Sequence, residues 1–298
     1  RAWFCEREWG WRGLALPVLV YGHAVEETVC RTLKECPALV AENAISESFD
    51  SPTKSHRAYW GRRDRENTVI DQRTDASWKG PMLIPIEQEF SNIEDIRKWA
   101  YSRIEIHWPR AIDSAHDIWS NDANCSGDWD EFMSARGHLG PQLARSAIDL
   151  HLEEVAKCLE ENGGFRLIDF RLGKRLEIPS PDGFSANQTK PHPCAIEEGD
   201  CTVLEAWELA RPWFVDPDAG TFTQQAILPE GWFQGEYDLV YRWQGNVKIV
   251  DLKASDGTSE WAASYPVQMQ TYAWLWWASH GKKESVSGLE TWYLGSKS

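Results

Sequence analysis

Apolar and polar positions recur with two different periods along the chain, and the period separates strands from helices. Near the C-terminus two short apolar runs, centred on 239–240 and 249–250, are joined by a turn-forming link at 243–246 and predict a β-hairpin with buried strand residues. Helices are predicted over 18–39, 93–106 and 142–161, further strands over 84–90 and 285–294, and a second hairpin over 165–178 that turns at Gly173 and Lys174.

Two carboxylates and a lysine stand beside the strands of the first hairpin. Asp238 adjoins the first apolar run, and Asp251 and Lys253 end the second. Strand pairing therefore places Asp238 and Asp251 on neighbouring strands, and side-chain alternation puts Lys253 on the same sheet face as Asp251.

Two carboxylates at such a short distance repel each other, and desolvation adds to the cost. Such pairs are therefore usually protonated or neutralised by a bound cation. Oxygen ligands without a nearby His or Cys favour Mg or Mn over Zn. Such an ion can activate a water molecule and neutralise charge on a phosphodiester. The hairpin therefore predicts a site for a hard divalent metal.

The order of the surrounding motifs is more specific than any one of them. With 46 acidic residues in the chain, an acid two positions before a lysine arises easily by chance. Here Gly235-x-x-Asp238 precedes an apolar strand that leads into Asp251-Leu252-Lys253, and Gln268 and Tyr272 follow one helical turn apart.

This ordered set resembles the RecB-type nuclease branch of the PD-(D/E)XK superfamily, which also includes CRISPR-associated nucleases. The resemblance implies an α/β, restriction-endonuclease-like fold with a mixed sheet flanked by helices and a large inserted region. It further implies that Asp238 and Asp251 bind Mg or Mn, that the carbonyl of Leu252 adds a ligand, and that Lys253 serves catalysis.

By the same resemblance, Gln268 and Tyr272 support the site and the DNA backbone, although these two alone also fit an ordinary amphipathic helix. The implied activity is that of a metal-dependent deoxyribonuclease in DNA repair or antiviral defence, acting alone or within a larger nucleic-acid-processing complex.

The family also has a metal-ligating residue on an early helix, often a histidine after Gly-x-x-Val. Matching Gly22 and Val25 to that pattern puts Glu26 at the ligand position, and a glutamate also offers oxygen to a hard ion. His23 and Glu27, four apart on one helical face, remain open as alternatives, as does an ordinary solvated face.

The resemblance also suggests how the chain is divided. Residues 1–40 are expected to form the N-terminal part of the nuclease core, 41–200 an insertion that acts as a lid, a wall of the DNA channel or a partner-binding region, and 201–298 the catalytic sheet and helix. Within the insertion His151 and Glu154 have metal-binding spacing, but a satisfied surface histidine is the favoured interpretation.

A net charge of −15 argues against a generally basic nucleic-acid-binding surface. Two local groups of basic residues can still follow a phosphate backbone, or form solvated faces. They are Arg57, Arg62, Arg63 and Arg65, then Arg166, Arg171, Lys174 and Arg175. Most of the 18 tryptophans are expected in the core, and some can stack on unpaired bases. Three of them are expected to pack their helix against the sheet: Trp274, Trp276 and Trp277.

The seven cysteines, an odd number, argue against a disulfide framework and favour free thiols. Some relatives build an iron–sulfur cluster from one early and three late cysteines. Cys5 fits the early position, but no cysteine follows Cys201, so no cluster is expected. No apolar run suggests a membrane segment, and no signal peptide opens the sequence, so a cytoplasmic protein is expected. A leader or an upstream domain removed before Arg1 remains an open alternative.

Two other functions remain open. A catalytically silent module of the same fold would bind DNA or a protein within a larger assembly, but it has no need of intact Asp238, Asp251 and Lys253 together. A tryptophan-rich interaction domain would make the Asp-Leu-Lys triplet accidental, and it would not bind Mn tightly.

Overall fold

The computed structural model describes residues 13–38, 62–63, 69–70, 82–172, 194–212, 226–227, 234–235, 237–241, 243–258, 260–279 and 285–295. In the first half of the chain the elements are α1 (Pro17–Lys34), β1 (Glu35–Ala38), β2 (Arg62–Arg63), β3 (Val69–Ile70), β4 (Met82–Pro85), α2 (Ile93–Asn121), α3 (Trp129–Arg136) and α4 (Gly140–Glu160). The second half adds α5 (Leu167–Arg171), α6 (Val203–Ala210), β5 (Ala226–Ile227), β6 (Gln234–Gly235), β7 (Leu239–Tyr241), β8 (Val247–Lys253), α7 (Tyr265–Ser279) and β9 (Val286–Tyr293).

Local sequence signals explain where several helices begin. Pro17 opens α1, where its missing amide hydrogen costs nothing. The side chain of Asn92 accepts the amide hydrogen of Asp95 at the start of α2. Thr202 and Glu205 form a reciprocal capping box at the start of α6.

A three-stranded mixed sheet lies at the centre of the fold, in the order β7-β8-β9. Strands β7 and β8 pair antiparallel, with Leu239 opposite Val250, which confirms the predicted hairpin. Strand β9 pairs parallel to β8, and helix α7 makes the connection between these two strands. The strand predicted over 285–294 is confirmed as β9.

Each face of the sheet is covered by helices. Leu239, Tyr241, Val250 and Leu252 face a large apolar cluster that contains side chains of α1, α2, α4 and α6. On the opposite face, the neighbouring strand positions pack against α7 in a second cluster of buried residues. Its members are Tyr237, Val240, Val247, Ile249, Met269, Leu275 and Trp276. The alternation of the strand residues produces the two faces, and the predicted α/β class is confirmed.

Three predicted elements differ from the structure. The strand predicted over 84–90 is shifted, because β4 spans Met82–Pro85 and residues 86–90 are not in a strand. The first helix ends at Lys34, and Glu35–Ala38 continue as a strand that pairs parallel to β4. Pro37 cannot extend a helix. The carboxylate of Glu35 binds the guanidinium of Arg103 and the imidazole of His107, which anchors this strand. The hairpin predicted over 165–178 is wrong over its described part, since a 3₁₀ turn and α5 fill Gly164–Arg171. Leu167 and Phe170 are buried three positions apart, which is helical spacing; Gly173 and Lys174 lie outside the described residues.

The helices of the middle region share the core with the sheet. Predicted helices are confirmed at α2 and α4, although α2 continues to Asn121 and so passes well beyond the predicted end at residue 106. Both contribute buried residues to the cluster that also holds α1 and the sheet. The division into 1–40, 41–200 and 201–298 stays a prediction. None of the helices in the described part of the chain has the length and apolar character required to cross a membrane.

Candidate functional site

Asp238, Asp251 and Lys253 share one face of the sheet. Val240 and Ile249 pack toward α7, so alternation along β7 and β8 directs these three side chains to the same side. Asp238 lies one position before β7, next to the Leu239–Val250 pair, and Asp251 and Lys253 end β8. The three residues brought together from sequence therefore lie together in the structure.

Short polar contacts join these residues. An Asp238 carboxylate oxygen, Oδ2, accepts the backbone N–H of Leu252 at 2.6 Å. The Oδ2 of Asp251 lies 2.6 Å from the Nζ of Lys253. Asp251 is only 2% exposed, so its carboxylate and the lysine form an ion pair that is largely shielded from water.

The electrostatic environment raises the pKa of both carboxyl groups. Desolvation is the main cause of the raised pKa of Asp238, and the charges of Glu26 and Asp251 raise it further, while the Leu252 N–H and Lys253 offset only part of the effect. Desolvation and Glu26 also raise the pKa of Asp251, against the opposing charge of Lys253. Burial alone would lower the pKa of Lys253, but the neighbouring Asp251 raises it, so the lysine stays protonated. The positive charge of Lys253 and the Leu252 N–H therefore do not balance the negative charge of Asp238, Asp251 and Glu26.

Glu26 is the residue of α1 whose charge acts on both aspartates. Its side chain is 19% exposed, whereas that of His23 is 67% exposed and lies beside Glu26, with His23 Nδ1 3.5 Å from Glu26 Oε2. Glu27 binds a different partner, because the Nε of Arg31 donates to its carboxylate at 2.7 Å. Of the three alternatives on this helix, the geometry favours Glu26.

Helix α7 borders the same site. The side-chain amide of Gln268 donates to the hydroxyl of Tyr272 at 2.8 Å, so the predicted pair is joined on one helical face. Tyr237, one position before Asp238, donates its hydroxyl to the carbonyl of Tyr272 at 3.3 Å and contacts the Tyr272 ring edge to face. Tyr265, at the first position of the helix, lies under the Lys253 ammonium.

Sequence reasoning missed Tyr237 and Tyr265. Both carried a usable signal, since Tyr237 is two residues after Gly235 and Tyr265 precedes Gln268 by one helical turn. Of the three tryptophans expected to pack α7 against the sheet, only Trp276 is buried there, while Trp274 and Trp277 point to the exposed side of the helix.

The alternative pair His151 and Glu154 is internal, and the expectation of a surface histidine is wrong. His151 is fully buried, and its Nδ1 lies 3.1 Å from the hydroxyl of Tyr241. Glu154 accepts from Lys157 and Trp243 and pairs with Lys248. These contacts tie α4 to β7 and β8, a structural role that occupies both carboxylate oxygens of Glu154.

Of the two basic groups, the second is in part structural. Arg171 donates two N–H groups to Glu205 and others to the carbonyls of Gly199 and Asp200, so its guanidinium is already bound by groups of the protein. The guanidinium of Arg166 lies over the Phe165 ring. For the remaining members the structure describes no side chain; they are Arg57, Arg62, Arg63, Arg65, Lys174 and Arg175.

No disulfide joins the six cysteines of the described chain, and Cys5 lies outside it. Within the described residues no group of three or more His, Cys, Asp or Glu side chains already has metal-binding geometry. Asp238, Asp251 and Glu26 nevertheless concentrate negative charge at one point and supply only oxygen atoms, the donor set that a hard divalent cation requires. Such an arrangement can bind a cation and present Lys253 beside it.

A scan against protein-family models matches residues 130–298 to the PD-(D/E)XK nuclease superfamily. The match covers more than half of the chain and includes Asp238, Asp251, Lys253, Gln268 and Tyr272, while Glu26 lies before it. Comparisons with curated proteins and with solved structures gave no match.

Proposed function

Because the chain belongs to the PD-(D/E)XK nuclease superfamily, we propose that it is a metal-dependent deoxyribonuclease that hydrolyses phosphodiester bonds. The observation that carries the proposal is the convergence of Asp238, Asp251 and Lys253 on one sheet face, where both carboxyl groups have a raised pKa. Like charges held in a desolvated site favour a cation between them.

Asp238 and Asp251 are the proposed ligands of Mg or Mn, with Glu26 and the carbonyl of Leu252 completing the protein's share of the coordination shell. The raised pKa of both aspartates supports this assignment, because a bound dication relieves the repulsion that Glu26 contributes. When bound, the metal supplies an activated water and neutralises charge on the phosphodiester.

Lys253 is proposed to orient the attacking water or to hold the scissile phosphate. An ammonium cannot ligate a cation, so its place beside Asp251 fits a role toward the substrate. Gln268 and Tyr272, joined to each other by their hydrogen bond, are proposed to support the site and to contact the DNA backbone.

A RecB-type nuclease, active on DNA in repair or antiviral defence, is proposed from the order of the three motifs alone. With a net charge of −15, the protein as a whole repels a polyanion. The bound metal, Lys253 and local basic residues therefore have to supply the attraction for the substrate.

The test uses the full chain with linear and circular DNA, single- and double-stranded, and with RNA of matched sequence, each with Mg, with Mn and with EDTA. We expect metal-dependent cleavage of DNA that Asp251→Asn abolishes while the fold is retained. Asp149→Asn is the matched control, because Asp149 on α4 is engaged with Arg97 and Tyr101 of α2 and not with the site residues. DNA that is bound but never cut under any metal condition would instead support the catalytically silent module.

A further inference from the structure

The ammonium of Lys253 is contacted from two directions. Asp251 Oδ2 lies 2.6 Å from the Nζ, and the centre of the Tyr265 ring lies 5.0 Å from the same atom. The second distance falls within the range of a cation–π interaction, in which the negative face of the ring attracts the cation. The Lys253 side chain is largely shielded from water, and desolvation strengthens such an attraction.

The Tyr265 ring is itself held in place. Its centre lies 6.1 Å from that of Tyr293 on β9. The Tyr293 ring packs in turn against Gly257 in the turn after β8, where a Cβ would come within 2.9 Å of the ring. Gly257 has a φ of +75°, which also favours glycine. The aromatic face under Lys253 is therefore supported by the strand and the turn that flank the site.

A lysine side chain loses substantial rotamer freedom when its end is fixed. Asp251 alone can fix one direction of the ammonium, but the proposed function engages Asp251 with the metal, which weakens its hold on Lys253. The ring of Tyr265 carries no charge and is no ligand for a hard cation, so its contact with Lys253 is independent of metal binding.

We propose that Tyr265 is a positioning residue that holds the Lys253 ammonium over the site through the face of its ring. This inference rests on the proposed function, in which Lys253 acts on water or phosphate. It makes the aromatic ring the essential part of Tyr265 and the hydroxyl dispensable.

Two variants separate the ring from the hydroxyl. Tyr265→Phe keeps the ring and is expected to cut within about twofold of the parent, whereas Tyr265→Leu should lower kcat roughly tenfold with little change in KM. Calorimetric Mn affinity and the thermal midpoint should change little between the two. Tyr101→Leu removes another such pair, between α2 and α4, in which the Arg145 guanidinium lies over the ring at 5.1 Å, and with it the Tyr101 hydrogen bond to Asp149; it controls for a general loss of stability.

NMR gives a readout that needs no cleavage. In protein labelled with ¹³C at the lysine ε-carbon, the Lys253 signal is assigned by its loss in Lys253→Arg, and its ε-protons should be shifted upfield by the Tyr265 ring. The shift should persist in Tyr265→Phe and vanish in Tyr265→Leu, with and without Mg, which is diamagnetic and leaves the nearby lysine signal sharp.

The outcomes distinguish this inference from the proposed function. A parent protein that cuts no substrate but shows the ring shift overturns the nuclease proposal and leaves the contact standing. An active parent whose kcat and Lys253 shift are unchanged in Tyr265→Leu overturns the positioning role alone. Equal loss of kcat in Tyr265→Phe and Tyr265→Leu would assign the role to the hydroxyl and contradict the inference as well.

Discussion

Asp238→Asn should stabilise the metal-free protein while it abolishes metal binding and cleavage. The substitution removes a charge and keeps the shape of the side chain, and the asparagine oxygen can still accept the Leu252 N–H that Asp238 accepts at 2.6 Å. In the metal-free state, desolvation and the charges of Glu26 and Asp251 all oppose ionisation of Asp238. The ionised carboxylate therefore lowers the free energy of unfolding at neutral pH.

The size of the gain follows from the strand geometry. Side chains at directly opposed positions of an antiparallel pair lie roughly 5 Å apart. Two like charges at that separation repel by about 3 kcal/mol at an effective dielectric constant of about 20. The ion pair between Lys253 and Asp251 cancels part of this repulsion, so we expect a net gain of about 1 kcal/mol, which corresponds to a rise in Tm of roughly 2–4 °C.

The assay is thermal unfolding of parent and variant in EDTA and again with saturating Mn. The parent should gain stability from Mn because the ion binds the folded state, whereas Asp238→Asn should gain little. Asp149→Asn is the control with the opposite sign, since Asp149 is paired with Arg97 and Tyr101 and its loss should lower Tm or leave it unchanged. A lower Tm for Asp238→Asn in EDTA, with an undiminished Mn effect, would refute the view of this site as a repulsive carboxylate pair.

Three further predictions follow from the same structure. Lys253→Met should lower turnover at least 100-fold and spare Mn affinity, whereas Lys248→Met, on the same strand, should spare both; calorimetry beside a cleavage assay separates them. Glu26→Gln should weaken Mn binding and cleavage together, and His23→Gln should leave Mn affinity nearly unchanged; imidazole in the first shell of a metal-soaked crystal would reverse this assignment. Burial lowers the pKa of His151 from 6.5 to about 3, so the unfolded chain binds the extra proton and stability falls as pH drops from about 6.5 toward 3. His151→Gln should flatten that slope, by up to about 1.4 kcal/mol per pH unit in urea unfolding, and an unchanged slope would contradict a buried neutral imidazole.

Much of the candidate site could be predicted from sequence because it depends on local rules. Alternation along a strand fixes the common face of Asp251 and Lys253, and hairpin pairing fixes Asp238 beside them. One helical turn brings Gln268 to Tyr272. These positions can be predicted from the side-chain period of each strand or helix and from the location of the hairpin turn.

The remaining features depend on contacts between distant parts of the chain. The helical pattern places His151 on an amphipathic helix where a surface position is favoured, yet Tyr241, ninety positions later, covers it. Glu35 and Pro37 lie in a strand that pairs with β4, and Arg103, on a different element, binds the Glu35 carboxylate. Pro37 marks the helix end locally, but no periodicity within residues 18–39 contains the partner strand β4.

The choice of Glu26 over a histidine at the helix position has an electrostatic consequence. Glu26 raises the pKa of both Asp238 and Asp251, which a neutral imidazole would not do. The metal-free site is thereby made less stable, and a bound dication relieves more repulsion than it would in a site with one carboxylate fewer. A glutamate at this position therefore couples folding of the site to metal binding more strongly. If the proposed DNA substrate is correct, the net charge of −15 opposes its approach, and the same coupling would make its attraction depend on the metal as well.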